Sequence, residues 1–392
     1  MGRAVNAATL STAPAAIDSW QVALRPARVL FGAGRLSELG ALVAELGGRR
    51  VLVVTDPGIR AAGHLEAALA SLRAAAIDAH VFDEVGENPT TAHVEAAAAA
   101  GRRHGVDFLV GLGGGSALDC AKGANFLLTN GGRMEEYRGW NRAAHPMLPA
   151  VGIPCTAGTG SEAQSYALIA QAGAHTKMAC GDEKARFRAV ILDPLLPRTA
   201  PRAVIAATGY DALSHAVESF TSRDANPLSR LFSREAWRLL ERSYEVAVSG
   251  GAGEATWSDM LLGSYLAGAA IEASMLGAAH ACANPLTAGF GVTHGIAVGL
   301  MLPAVVRVNA PVAGALYADL LQVPESGAGE TLARRLESLR AAGGLPSRLA
   351  SVGVGPDAPA ALAAAALEQW TLAHNPRALG EADLVALYRS VL

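Results

Sequence analysis

Apolar runs alternate with amphipathic segments through the first half of this 392-residue chain. "RVLVVTD" (50–56) is a continuous apolar run closed by a polar turn, which predicts a strand buried on both faces. "DAHVFDEV" (78–85), "VDFLVGLGGGS" (106–116), "MLPAVGIPCTAGTGSE" (147–162) and "FRAVILDP" (187–194) repeat the pattern. Around them, "RLSELGALVAEL" (35–46), "RAAGHLEAALASLRAA" (60–75) and "TAHVEAAAAAGRRHG" (91–105) space their apolar positions three and four apart, as helices with one buried face do. Such alternation predicts a parallel sheet covered by helices on both sides.

After about residue 200 the strand signals nearly vanish, and Ala/Leu-rich helical segments run to the C-terminus. The change places a boundary between Pro194 and Pro201. It divides the chain into a loose N-terminal tail (1–20), an α/β domain (21–198) and an all-helical domain (199–392).

Composition narrows the possible partners. Hydrophobic residues make up 51% and charged ones 17%, which supports a large core. A net charge of −3 without a long basic run argues against nucleic acid. No uninterrupted apolar stretch reaches the ~18 residues of a membrane-spanning helix. The first twenty residues lack an apolar segment behind a positive cluster, so a cytoplasmic protein is expected. Cys120, Cys155, Cys180 and Cys282 form no C-x-x-C pair and read as buried reduced thiols. Lysine occurs only at Lys122, Lys177 and Lys184, which suggests positions where a compact charge does what a planar guanidinium cannot.

Three strand ends carry candidate chemistry. In "GLGGGSALDCAK" (111–122) a strand enters Gly113, Gly114 and Gly115, and a helix starts near Ser116. Glycines let backbone N–H groups approach a ligand and the helix start adds a positive end, so the loop can cradle a phosphate, with Lys122 further along adding charge. The alternative is a tight strand–helix turn. Asp56 can accept hydrogen bonds from a ribose diol and repel a 2′-phosphate, or it can simply form a turn before Pro57. "PCTAGTGSE" (154–162) offers hydroxyls and glycines that can line a cofactor.

The second half holds His215, His280, His294 and His374. In "GYDALSHAVES" (209–219), Asp211 and His215 stand four apart and project from one helix face. Alone, they read as a surface pair. His280 lies in the next apolar helical run, which Pro285 is expected to end or kink. Gly289, Gly291 and Thr293 then form a turn, and His294 opens another helix. The gap can fold both imidazoles to one point. One carboxylate with three neutral imidazoles suits Fe²⁺ or Zn²⁺ and leaves a position for a substrate oxygen. The alternative is a pair of satisfied core histidines.

Taken together, "VVTDPG", "GLGGGSALDCAK", "PCTAGTGSE", "ILDPLLP", "GYDALSHAVES" and "GAAHACANPLTAGFGVTHGIAVG" resemble the iron-containing (group III) alcohol dehydrogenases over nearly the whole chain. The resemblance implies a Rossmann-like dinucleotide-binding domain, an all-α domain of the dehydroquinate synthase-like architecture, and a cleft between them for NAD(P) and metal. It implies a homodimer, and an alcohol or aldehyde substrate. It assigns Asp211, His215, His280 and His294 to the metal. Gly115, Ser116, Asp119, Cys155, Thr156, Thr159 and Lys177 fall where the family contacts cofactor, and Asp56 where an acidic residue accompanies NAD preference over NADP. Two departures stand out. Cys155 replaces the first Thr of the common PTTAGTGSE, and Asn284 occupies a position where many members carry a second histidine suspected of relaying a proton. Asparagine does not titrate near neutral pH, which puts an imidazole relay there in doubt.

The expected chemistry is hydride transfer between nicotinamide and an alcohol activated by a Lewis-acidic metal. Two rivals accompany it: an NAD-using sugar-phosphate lyase of the dehydroquinate synthase type, and a non-catalytic NAD- or metal-binding protein. The lyase needs cations for an acidic substrate, and residues 199–392 contain no lysine.

Overall fold

A computed structural model describes residues 27–171 and 177–392; the tail expected over 1–20 lies outside them. The strands are β1 (Arg28–Phe31), β2 (Arg50–Val54), β3 (Asp78–Phe82), β4 (Phe108–Gly113), β5 (Gly139–Trp140), β6 (Ala150–Pro154), β7 (Tyr166–Ala170), β8 (Lys177–Gly181) and β9 (Ala189–Leu192). Helices α1 (Leu39–Glu45), α2 (Pro57–Ala61), α3 (His64–Ala74), α4 (Thr91–His104) and α5 (Gly115–Asn130) lie among them. Only helices follow β9 among the described residues: α6 (Arg202–Thr221), α7 (Pro227–Ser249), α8 (Glu254–Ala273), α9 (Ala278–Phe290), α10 (His294–Leu321), α11 (Ala328–Ala342), α12 (Pro359–Leu367) and α13 (Glu381–Ser390), with short 3₁₀ turns.

Six strands form one parallel sheet in the order β1-β9-β6-β4-β2-β3. Apolar side chains on β2 and β4 are fully buried, as two-sided coverage demands. From β2 the chain steps outward to β3, then returns to β4 on the other side of β2. This reversal is the point where open α/β sheets leave a crevice at their carboxyl ends. Asp56 follows β2 and the three glycines close β4, so both border that crevice.

The long segment at 60–75 divides into α2 and α3, because Gly63 adopts φ 82° between them. The small sheet β5-β8-β7, whose strands are two to five residues long, is not anticipated by the apolar pattern. Pro285 does not end its helix: α9 continues to Phe290. The Tyr388 hydroxyl donates to the carbonyl of Cys282, three residues before the proline (2.8 Å). The 28-residue α10, although Arg307 interrupts its apolar run, is long and apolar enough to cross a membrane by length and composition; 61% of its most apolar window is buried. It packs against α6, α9 and α11 as a core helix.

Candidate metal centre

The loop expected to cradle a phosphate lies where β4 passes into α5. Gly114 is the N-cap of α5 and no side chain caps the helix, so its first N–H groups are open to an anion. A Cβ on Gly115 would lie 2.7 Å from the Thr159 hydroxyl, which fixes glycine there and presses the two loops together. One on Gly114 would lie 3.5 Å from the Thr156 hydroxyl. Ser116 Oγ accepts from the Asn88 N–H (3.2 Å). Asp56 uses one oxygen to cap α2 through the Ile59 N–H (3.0 Å), so the turn-forming reading is realised. Its other oxygen would lie 3.1 Å from a Cβ on Gly113, beside the glycine loop, so the ribose-binding reading remains sterically open.

Two residues assigned to the cofactor face inward. The Cys155 thiol lies in the apolar core, where burial pushes its pKa far up, and its N–H donates to the Gly113 carbonyl (2.8 Å). Asp119 accepts from Ser161 Oγ (2.5 Å) and the Leu168 N–H (3.1 Å). Lys122, expected to add charge to the phosphate cradle, is instead buried. Its ammonium donates to the Ser161 carbonyl (2.7 Å), Ser161 Oγ (2.9 Å) and the Tyr166 carbonyl (2.7 Å), with Asp119 at 3.6 Å. Burial lowers the Lys177 pKa, while the nearby Asp119, Asp211 and Glu87 oppose that shift.

The loop after β6 rests directly on the helices. A Cβ on Gly158 would meet Thr208 at 2.5 Å, and one on Gly160 would meet Gly268 at 2.6 Å. A Cβ on Gly295 would lie 2.1 Å from the Ala207 carbonyl oxygen. The glycine after His294 thus lets the start of α10 touch α6, which carries Asp211 and His215.

The four sequence-identified residues meet around Asp211 Oδ1. His215 Nε2 and His280 Nε2 each lie 3.5 Å from it, and His294 Nε2 lies at 4.0 Å. Donor atoms of Asp211, His215 and His280 all fall within 4.8 Å of one another. His294 stands at the edge, its side chain 24% exposed. Burial holds His215 down to about 4 and His294 down to about 3, so both imidazoles are neutral with lone pairs available. Burial alone would raise Asp211, but the three imidazoles hold it well below the usual carboxylate range. Burial also acts to lower His280, yet Asp211 and Glu218 on its two sides lift it to about 9. A proton on Nε2 would occupy the place a cation suits.

Asp211 Oδ1 and His280 Nε2 have no hydrogen-bond partner although both are buried. Buried polar atoms are rarely orphaned, and a divalent ion would satisfy both. One carboxylate and three imidazoles fit Fe²⁺ or Zn²⁺.

Sequence reasoning missed Glu218, which accepts from His280 Nδ1 at 2.5 Å. The spacing was available: Asp211, His215 and Glu218 fall at i, i+4 and i+7 on one face of α6. It also missed Asn375, which accepts from the Ala278 N–H (3.2 Å). Asn284 donates to Gln369 Oε1 (2.9 Å). Trp257 is buried in the helical core, whereas Trp140, packed on Tyr166, and Phe290 are exposed.

Comparison with known proteins bears on the same regions. The sequence profile described as iron-containing alcohol dehydrogenase matches residues 26–194, and that of the Fe-containing alcohol dehydrogenase family, C-terminal, matches residues 205–392. The chain is 33% identical over 369 residues to the 1,3-propanediol dehydrogenase of Klebsiella pneumoniae, covering 92% of this chain and 95% of that one. It is 31% identical over 375 residues to the NAD-dependent methanol dehydrogenase of Bacillus methanolicus, covering 94% and 98%. A crystal structure of 1,3-propanediol oxidoreductase superposes with a TM-score of 0.91 at 32% identity, covering 94% of this chain and 98% of that one.

Proposed function

Because this chain belongs to the iron-containing alcohol dehydrogenase family, we propose that Asp211, His215, His280 and His294 hold its metal and that the loops closing β2, β4 and β6 hold its NAD. The chain is an NAD-linked alcohol dehydrogenase or aldehyde reductase. Bound at the cluster, the metal supplies a Lewis acid for the alcohol oxygen. The residues do the positioning. His294, at the partly open edge, borders the substrate side. The backbone N–H groups at the start of α5 take the pyrophosphate, Thr156 and Thr159 line the path between them, and Asp56 takes the ribose diol. The observation that carries this reading is the pair of orphaned buried atoms, Asp211 Oδ1 and His280 Nε2, 3.5 Å apart. Elemental analysis of anaerobically purified protein, followed by an NAD⁺/NADP⁺ screen over alcohols and aldehydes, tests it. About one iron or zinc per chain with net NADH formation is expected; a metal-free protein with full activity would refute it.

Asp56→Ser separates the two roles of this residue. Serine keeps the helix cap but removes the charge, so stability stays within about 0.5 kcal/mol. Removing ~1–2 kcal/mol of repulsion toward a 2′-phosphate raises kcat/KM for NADP⁺ relative to NAD⁺ roughly tenfold. An unchanged cofactor ratio would take Asp56 out of the ribose site.

Residue 284 stands one turn beyond His280, and its amide donates to Gln369 Oε1 (2.9 Å); whether it reaches the chemistry is open to test. The proton leaves through water or hydroxyls, because asparagine carries no titratable group. Asn284→His therefore introduces a new ionisation near pH ~6.5 in the pH–rate profile. A profile without one would mean that residue 284 does not face the chemistry.

The homodimer rests on β1, which pairs only with β9 among the described residues and exposes Val29 and Phe31. An edge strand of this kind is a pairing surface, and a second copy suits it. Light scattering at the mass of one chain would refute it. A cytoplasmic location fits four free, buried cysteines. Recovery of the protein from a membrane or extracellular fraction would overturn that.

A further inference from the structure

We infer that Glu218 is the positioning residue of the metal centre: it selects the nitrogen of His280 that faces Asp211 and ties the helix bearing His280 to the helix bearing Asp211 and His215. The inference rests on the assignment of His280 as a metal ligand.

Three observations carry it. First, Glu218 is buried and directs both oxygens at one target. Oε1 accepts from the Ala279 N–H (2.7 Å), and Oε2 from His280 Nδ1 (2.5 Å), with the His280 N–H at 3.4 Å. These groups belong to the first turn of α9, whose N-cap Gly277 offers no side chain. A carboxylate from another helix thus takes the place of a cap, where a negative charge is favoured. Second, a carboxylate oxygen accepts, so His280 gives its Nδ1–H to Glu218 and turns Nε2, the nitrogen left for a cation, toward Asp211 Oδ1. No carboxylate supports the other two imidazoles: His215 has a backbone hydrogen bond to Gly158, and Nδ1 of His294 has no partner among the described residues. Third, the cavity beside Glu218, bordered by Val217, Gly277, Asn309 and Asn375, is only about 10 Å³. It has room for at most one water, so solvent is a poor substitute for the carboxylate.

The consequence is a mechanical coupling. Asp211 and His215 come from α6, and His280 comes from a helix about 65 residues later. Glu218 joins the two through the backbone and the ring of the same residue.

Glu218→Gln tests this with little change in shape. An amide has one acceptor and one donor group. Turned one way, its NH₂ meets the Ala279 N–H; turned the other, it donates to Nδ1 and drives His280 to the tautomer whose Nε2 is protonated. The expected result is a 10- to 100-fold loss of Zn²⁺ affinity in competition with a chromogenic chelator, at unchanged NAD⁺ affinity. In metal-free protein with ¹⁵N-labelled histidine, held above the pH of about 9 at which His280 gives up its second proton, NMR reads the remaining proton moving from Nδ1 to Nε2. Asn375→Ala is the control: it frees the neighbouring Ala278 N–H of α9 without touching the ring, and should hold Zn²⁺ affinity within about threefold.

Wild-type Zn²⁺ affinity and an unchanged tautomer in Glu218→Gln would overturn the inference. So would an equal loss in Asn375→Ala, which would reduce Glu218 to an anchor of the helix. If the glutamine variant does not fold, Glu218→Asp keeps an acceptor but withdraws it by one methylene. A loss of at least tenfold is then expected, and wild-type affinity would overturn the inference. A different result, no specific Zn²⁺ binding by the wild type, would strike the ligand assignment itself rather than the role of Glu218.

Discussion

His280→Ala yields a folded protein that binds NAD⁺ but retains no metal and has lost turnover. The imidazole supplies one of the three donor atoms that lie within 4.8 Å of one another. Its removal leaves Asp211 and His215 on one helix and His294 at 4.0 Å from Asp211. Losing Lewis-acid activation worth several kcal/mol lowers kcat roughly a thousand-fold or more, at 1.36 kcal/mol per tenfold. The nucleotide loops close β2, β4 and β6 and do not depend on this ring, so the Kd for NAD⁺, measured by fluorescence titration, stays near the wild-type value. The variant also leaves Glu218 Oε2 without the ring N–H, a burial penalty of about 1–3 kcal/mol that appears as a lower Tm. Metal-free wild-type protein is the reference that separates the two effects. Wild-type turnover from a variant shown to contain no metal would sink the ligand assignment.

Lys122→Met destabilises the chain by about 3–5 kcal/mol, the cost of removing one partner from a buried charged cluster. Methionine fills the space, so the loss reports on charge and hydrogen bonding rather than on a cavity. The ammonium reaches three acceptors from Ser161 and Tyr166 and lies 3.6 Å from Asp119. Without it, the Asp119 carboxylate and the buried Glu162, already raised to about 7 by burial, lose the cation that offsets their charge. Arginine is no remedy: a planar fork does not converge on acceptors grouped around a point, which is where a compact ammonium serves. The loop bearing Thr156 and Thr159 leads into Ser161, so KM for NAD⁺ rises as well. Chemical denaturation gives the stability change. A shift below about 0.5 kcal/mol would mean that the cluster does not depend on the lysine.

The scarcity of lysine was visible in the sequence, and its cause was not. Lys122 follows the glycine loop, and proximity along the chain suggested a phosphate contact. The helix instead carries it away from the loop and turns it inward, toward a segment 39 to 44 residues later. Cys155 shows the same limit, since a position in a motif does not say which way a side chain faces. Pro285 shows another. Its local rule predicts an end or a kink, but the helix does not end there: α9 runs on to Phe290.

By itself the sequence determined the alternation of strands and helices, the glycine loop that opens α5, the carboxylate closing β2 and the identity of four metal-binding candidates. These depend on periodicity, on the conformational freedom of glycine and on i,i+4 spacing, all of which act within a few residues. The tertiary structure alone decided that Asp211, His215, His280 and His294 share one centre, that Glu218 holds the ring of one of them, and that Lys122 ties β7 to α5. Those contacts join residues tens of positions apart. They arise only when packing brings the helices together and every buried donor and acceptor must find a partner there.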